Sequence, residues 1–153
     1  MTYDPQSPTR LPTFCHEPML DGMAHTKSVR GEPVLRAGNT NCGGCGMSIG
    51  LHMLSRAVAD LPIQMVIPAC CGIVTGGAFP SSAYGAPVVA ATFASAAAFA
   101  TGLAHVARLN GERTRVVCWA GDGGTYAIGM ATLSAAAELK LELAASLESR
   151  QQY

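Results

Sequence analysis

Charge is what this sequence has least of. Of its 153 residues, 13% are Asp, Glu, Lys or Arg, and none of these lies between Leu61 and Ala107. That share is about half the usual one for a soluble domain. Ten basic residues balance ten acidic ones, which removes the electrostatic basis for binding nucleic acid or an anionic membrane surface. A long stretch that presents no charge to water is expected to be covered, much of it by partner subunits. The first residues also lack a basic segment leading into an apolar one, so no secretory signal is read and a cytoplasmic chain is expected. Six cysteines without such a signal point to metal or redox use rather than to a disulfide framework. The uncharged stretch Ala86 to Val106 is long enough to cross a bilayer. It is mostly Ala, however, opened by Pro87 and interrupted by Thr92, Ser95, Thr101 and His105. A strand followed by a helix accounts for it better than a membrane span.

The length suits one domain with one real core, and no internal repeat is visible. Residues 1–36 carry Pro5, Pro8, Pro12, Pro18 and Pro33 and read as an extended arm rather than as part of a sheet. After the glycine-rich loop Cys42 to Gly46, the spacing of Met47, Leu51, Leu54 and Val58 predicts a helix from Met47 to Ala59. Ile63 to Ile67 reads as a buried strand, Val88 to Thr92 as a second and Arg115 to Ala120 as a third. Helices are expected over Phe93 to Leu109, ended by Asn110-Gly111, and from Thr125 to about Arg150. Almost wholly apolar strands alternating with helices predict an α/β fold, a mostly parallel sheet covered by helices on both faces. In the tail, residues 139–153, the stripe Leu139, Leu143 and Leu147 extends that last helix where a crossover to another parallel strand is expected.

The most informative segment is Val116 to Gly129. An apolar run of strand character meets Gly121-Asp122-Gly123-Gly124-Thr125, and a segment with helical spacing follows. A strand passing through glycines into a helix brings unpaired N–H groups and the positive end of a dipole to one point, which suits a phosphate. Asp122 adds a hard carboxylate oxygen of the kind a Mg²⁺ ion bridging a diphosphate requires. A hairpin turn is the competing reading of Asp-Gly, but the residues after Thr125 do not alternate.

Cys42 and Cys45 sit on a loop whose glycines allow the chain to fold around a metal. Zinc, an iron–sulfur cluster and a dithiol redox pair all remain open on two cysteines. A zinc ribbon wants a second Cys-x-x-Cys, and none exists. Cys118, inside a strand, and Cys15, in the arm, read as small buried apolar residues. His52 and His105, in apolar helical segments, read as hydrogen-bonded core or interface residues rather than ligands.

Taken together, these motifs resemble the β subunit of 2-oxoacid:ferredoxin oxidoreductases of the pyruvate synthase type. The resemblance runs from about Arg36 to Glu138. It comprises Cys42-Gly43-Gly44-Cys45-Gly46, Ala69-Cys70-Cys71, Ala78-Phe79-Pro80, Gly85-Ala86-Pro87, Phe93 with Ala96-Ala97-Ala98 and Gly102, Gly121 to Thr125, and Ile128-Gly129. It implies a domain at residues 37–138 with part of the thiamine diphosphate-binding fold, followed by a divergent tail. Gly121, Asp122, Gly123, Gly124 and Thr125 would hold Mg²⁺ and the diphosphate. Cys42, Cys45 and Cys71 would ligate a 4Fe–4S cluster near the thiazolium, Cys71 matching the third position better than Cys70. The implied activity is oxidative decarboxylation of a 2-oxoacid such as pyruvate. Coenzyme A would take the acyl group, ferredoxin the electrons, and an α subunit would carry the pyrimidine-binding half. The chain departs from the family in three ways. It lacks the fourth, downstream cluster cysteine; it has no Asn after Asn110 to serve as second Mg²⁺ ligand; and Met47, Ala94 and Ala127 stand at commonly polar positions. Two other functions follow from those departures: a non-catalytic remnant that docks to partners, and a cluster-binding module for electron transfer alone.

Overall fold

A computed structural model describes residues 33–58, 61–78 and 80–139, together with the backbone of residues 144–148. Most of the predicted arm, with Cys15, lies outside these residues, as do Phe79, Leu143 and the last five positions.

Helix α1 (Gly46–Ala57) starts directly after Cys45 and buries Met47 and Leu51. Leu54 and Val58 pack partly buried against the same cluster, so the apolar stripe read from the sequence is the packed one. Strand β1 (Ile63–Pro68) leads into the one-and-a-half-turn helix α2 (Cys71–Thr75). Strand β2 (Val88–Ala91) precedes helix α3 (Ala96–Leu109). Strand β3 (Arg115–Gly121) runs into α4 (Asp122–Tyr126), then α5 (Met130–Glu138) and β4 (Ala144–Glu148). The sheet order is β2-β1-β3-β4, and every described pair is parallel.

The two central strands are apolar on both faces because both faces are covered. Ile63, Met65, Ile67, Val117 and Trp119 join Met47 and Leu51 of α1 in one cluster. Val66, Val116, Cys118 and Ala120 join Ala96 and Ala100 of α3 in the other. Alternate residues of each strand therefore serve opposite layers, as a period of two requires. Of the arm, Val34 and Leu35 are buried in the first cluster, and Leu35 forms an isolated antiparallel bridge with Tyr84. Cys118 is buried, as expected of a strand cysteine.

The structure corrects two expectations. The helix predicted from Thr125 to about Arg150 is instead two helices and a strand. The break falls at Ala127–Gly129, where Gly129 approaches so closely that an added Cβ would stand 1.6 Å from the Gly124 carbonyl oxygen. Beyond Glu138 the chain returns as β4, with Val117 to Gly121 registered against Ala144 to Glu148. Pairing satisfies an edge of β3 that helical propensity alone would leave open. Of the two alternatives read for His52 and His105, core or interface, the structure removes the first, since both are exposed. Segment 86–106 is divided between β2 and α3, and no helix among the described residues is long and apolar enough to cross a membrane.

Candidate functional site

The carboxyl ends of parallel strands are where open α/β sheets gather ligands, and the predicted site residues sit there. Strand β3 ends at Gly121 in extended conformation (φ −77°, ψ 179°), and Asp122 begins α4 with no intervening loop. No side chain caps this helix, so its first N–H groups have no intrahelical partner. Asp122 is exposed in that first turn, where a carboxylate faces the positive end of the peptide dipoles. Thr125 is buried, and its hydroxyl donates to the Gly121 carbonyl over 2.8 Å, closing the turn from within.

Gly123 and Gly124 are closely approached from behind. A Cβ on Gly123 would lie 2.9 Å from Cζ of Phe93, and one on Gly124 would lie 3.3 Å from the Phe93 carbonyl oxygen. Phe93 comes to this position because α3 begins three residues later than its apolar pattern predicts. The Thr92 and Ser95 hydroxyls, 2.7 Å apart, hold a turn there instead. From the other side Gly129 abuts Gly124, and the Thr132 hydroxyl lies 2.8 Å from the Ala94 carbonyl oxygen and 2.9 Å from that of Gly129, donating to one of them at a time. Phe93 and Gly129 thus wedge the Gly121–Thr125 turn between them. The sequence presented both as parts of a resemblance, without the packing role each serves.

Cys70 and Cys71 occupy the neighbouring strand end. A Cβ on Gly121 would stand 4.0 Å from Cβ of Cys70, and the Ala69 N–H donates to the Ala91 carbonyl of β2 over 3.1 Å. Cys71 is exposed at the first position of α2, whereas Cys70 is half-buried against the α1-side core. Cys42 is exposed and Cys45 half-buried on the glycine loop. That loop is turned by an N–H of Cys45 donating to the Cys42 carbonyl over 3.1 Å, with Gly44 at φ +78°. Among the described residues no cysteine is in a disulfide. Among the described residues, however, no three His, Cys, Asp or Glu side chains are grouped to hold a metal ion. The structure therefore brings Cys70, the residue before Cys71, beside Gly121 at the end of β3, but among the described residues it does not assemble Cys42, Cys45 and Cys71 into a ready ligand set. Burial, and secondarily the nearby Cys70, pushes the Cys118 thiol up to about 11, which leaves it protonated and inert at neutral pH.

Residues 72–146 match the family described as thiamine pyrophosphate enzyme, C-terminal TPP binding domain, a segment containing the whole β3–α4 turn. Ketoisovalerate oxidoreductase subunit VorB of Pyrococcus horikoshii is 39% identical over 104 residues, covering 64% of this chain and 33% of the relative. Pyruvate synthase subunit PorB of Methanothermobacter marburgensis is 32% identical over 108 residues, covering 70% of this chain and 37% of the relative. Its counterpart from Pyrococcus furiosus is 30% identical over 106 residues, covering 63% and 32%. The chain spans about a third of the length of these relatives.

Proposed function

We propose that this chain, a homologue of the β subunits of 2-oxoacid:ferredoxin oxidoreductases, holds the diphosphate end of thiamine diphosphate at Gly121 to Thr125. The observation that carries this reading is the uncapped start of α4 at the carboxyl end of a central parallel strand, with the Asp122 carboxylate exposed beside it. The donor set fits the group: N–H groups without helical partners for the phosphate oxygens, and a hard anionic oxygen for Mg²⁺. Asp122 would supply one Mg²⁺ ligand. The others would come from the diphosphate, water or a partner chain. Phe93 and Gly129 hold the turn in the shape that keeps those N–H groups together. When bound, thiamine diphosphate supplies the carbon nucleophile that makes the carboxylate of a 2-oxoacid a leaving group.

The oxidative half of the reaction, in which coenzyme A takes the acyl group and ferredoxin the electrons, belongs to the same proposal. Cys42, Cys45 and Cys71 are the residues that would contribute to a 4Fe–4S cluster. As placed here they do not complete its ligand set, and no electron-transfer step follows from them alone. Further ligands, and the pyrimidine-binding half of the thiamine site, would come from an α subunit and other polypeptide in a cytoplasmic hetero-oligomer.

Calorimetric titration of thiamine diphosphate into the wild-type chain with and without Mg²⁺, and into Asp122→Ala with Mg²⁺, tests the site. Binding that requires Mg²⁺ is expected. Asp122→Ala should weaken it by roughly 10- to 150-fold, the equivalent of about 1.5–3 kcal/mol for a charge-assisted contact. Equal affinity in all three titrations would show that this turn is not the site. Iron and sulfide uptake without thiamine diphosphate binding would favour the electron-transfer module.

A further inference from the structure

We propose that Thr75 is the positioning residue of the thiol site, a single buried hydroxyl that fastens the Cys42–Cys45 loop to the Cys71 helix. The proposal rests on the reading of Cys42, Cys45 and Cys71 as one site. It adds what sets the spacing between the two segments that carry them.

Thr75 is 1% exposed, one of two buried polar residues among those described. Its Oγ1 lies 2.6 Å from Oδ1 of Asn41, the residue before Cys42, and 3.0 Å from the carbonyl oxygen of Cys71 itself. The hydroxyl has one proton and so donates to one of these at a time, the shorter contact being to Asn41. Asn41 in turn donates through Nδ2 to the Ser48 hydroxyl over 2.7 Å, which reaches into the first turn of α1 just beyond Cys45. Two further bonds bring the same strands of chain together. The Thr40 hydroxyl donates to the Val74 carbonyl over 2.8 Å, and the Thr40 N–H to the Thr75 carbonyl over 3.3 Å. The loop and the helix are 34 residues apart in sequence, and neither belongs to the sheet. The network centred on Thr75 is therefore the polar tie that registers one against the other. Burial makes it matter, because an Asn41 oxygen left without its donor there loses more than the bond is worth in water.

The protein carries its own reporter for this contact. Trp119, the sole tryptophan, lies beneath α1, the helix that follows the Cys42–Cys45 loop, and beneath α2. A Cβ on Gly50 of α1 would stand 3.1 Å from its Cη2, and one on Gly72 of α2 would stand 3.3 Å from its Cδ1. Its indole N–H is buried with no hydrogen-bond partner, so its emission responds to loosening of either segment and to water that enters.

The test uses the full chain, wild type and the variants Thr75→Val, Thr75→Ser and Asn41→Ala, each checked for retained far-ultraviolet dichroism. A short bifunctional thiol reagent is followed by tryptic mapping. Cleavage after Arg36, Arg56 and Arg108 puts Cys42 and Cys45 on one peptide and Cys70 and Cys71 on the next. The link within the first peptide serves as internal control. Thr75→Val and Asn41→Ala should each lower the link between the two peptides at least about fivefold relative to that control. Both should also raise collisional quenching of Trp119, while Thr75→Ser stays near wild type. Unchanged linking and unchanged quenching in both variants, against a wild type that does link, overturn the proposal. If the quenching responds to Thr75→Val but the wild-type chain forms no link between the peptides, the tie is correct and the thiol-site reading beneath it is wrong. In that case Thr75 has no positioning role for the thiols.

Discussion

At Gly123, Gly124 and Gly129 glycine marks close approach rather than flexibility. Gly121, Gly123, Gly124 and Gly129 all have ordinary negative or extended backbone angles, the positive ones among described glycines being Gly38, Gly44, Gly77 and Gly111. At Gly129 the Gly124 carbonyl behind it excludes a side chain, and at Gly123 a side chain would push against the Phe93 ring. Gly129→Ala must displace backbone, and we expect it to destabilise the fold by about 2–3 kcal/mol, within the range of overpacking. Urea denaturation checks this, and an unchanged midpoint would refute the packing account. Phe93→Ala, by contrast, should leave the fold standing, since the ring is half-exposed, and should weaken Mg²⁺-dependent binding of thiamine diphosphate by loosening the turn. At the same scale Cys118 predicts a pH dependence. Its folded pKa lies near 11 against 9.0 for an unperturbed thiol. Between those values the unfolded chain has lost a proton that the folded chain keeps. Stability therefore falls as pH rises through this window and is unaffected by this group below it. Replacing Cys118 with Ala should flatten that slope between pH 9 and 11 in denaturation curves.

At the scale of elements, the hydrophobic patterns identified strands and helices well where burial decides the outcome. The strands β1, β2 and β3 and the helices α1 and α3 fall within a few residues of where spacing put them. Propensity failed where a tertiary contact competes with it. Ala-rich sequence after Thr125 has every local reason to remain helical, yet Gly129 must pass against Gly124 and the chain bends there. The Leu139, Leu143, Leu147 stripe is equally legible as one face of a helix. Its last part is recruited as a strand because the open edge of β3 offers parallel pairing from Val117 to Gly121. No window of local sequence reports the existence of that edge.

At the scale of the whole molecule, the missing charge has a visible counterpart. Phe99, Val106 and Leu109 are exposed on α3, Ile49 and Met53 on α1, and Tyr126, Ile128 and Met130 around α4 and α5. Apolar surface this widespread is unusual on a monomer. We expect the chain expressed alone to self-associate. Co-expression with a polypeptide carrying the pyrimidine-binding half should restore a defined complex by size-exclusion chromatography with light scattering. A clean monomer at high concentration would refute a large hidden interface.

Sequence by itself determined the order of α1, β1, β2, α3 and β3, the Gly121–Thr125 turn with Asp122 at its head, and the two thiol-bearing segments. Each of these is written in contiguous residues whose spacing has one local physical meaning. The wedge of Phe93 and Gly129, the Thr75 tie, the strand at Ala144–Glu148 and the separation of Cys42 and Cys45 from a complete metal ligand set were decided only by tertiary structure. They depend on which residues distant in the chain meet at the carboxyl end of the sheet. That meeting is set by the register of β1 against β3 and by burial on both sheet faces, quantities that belong to the packed molecule and have no period in the sequence.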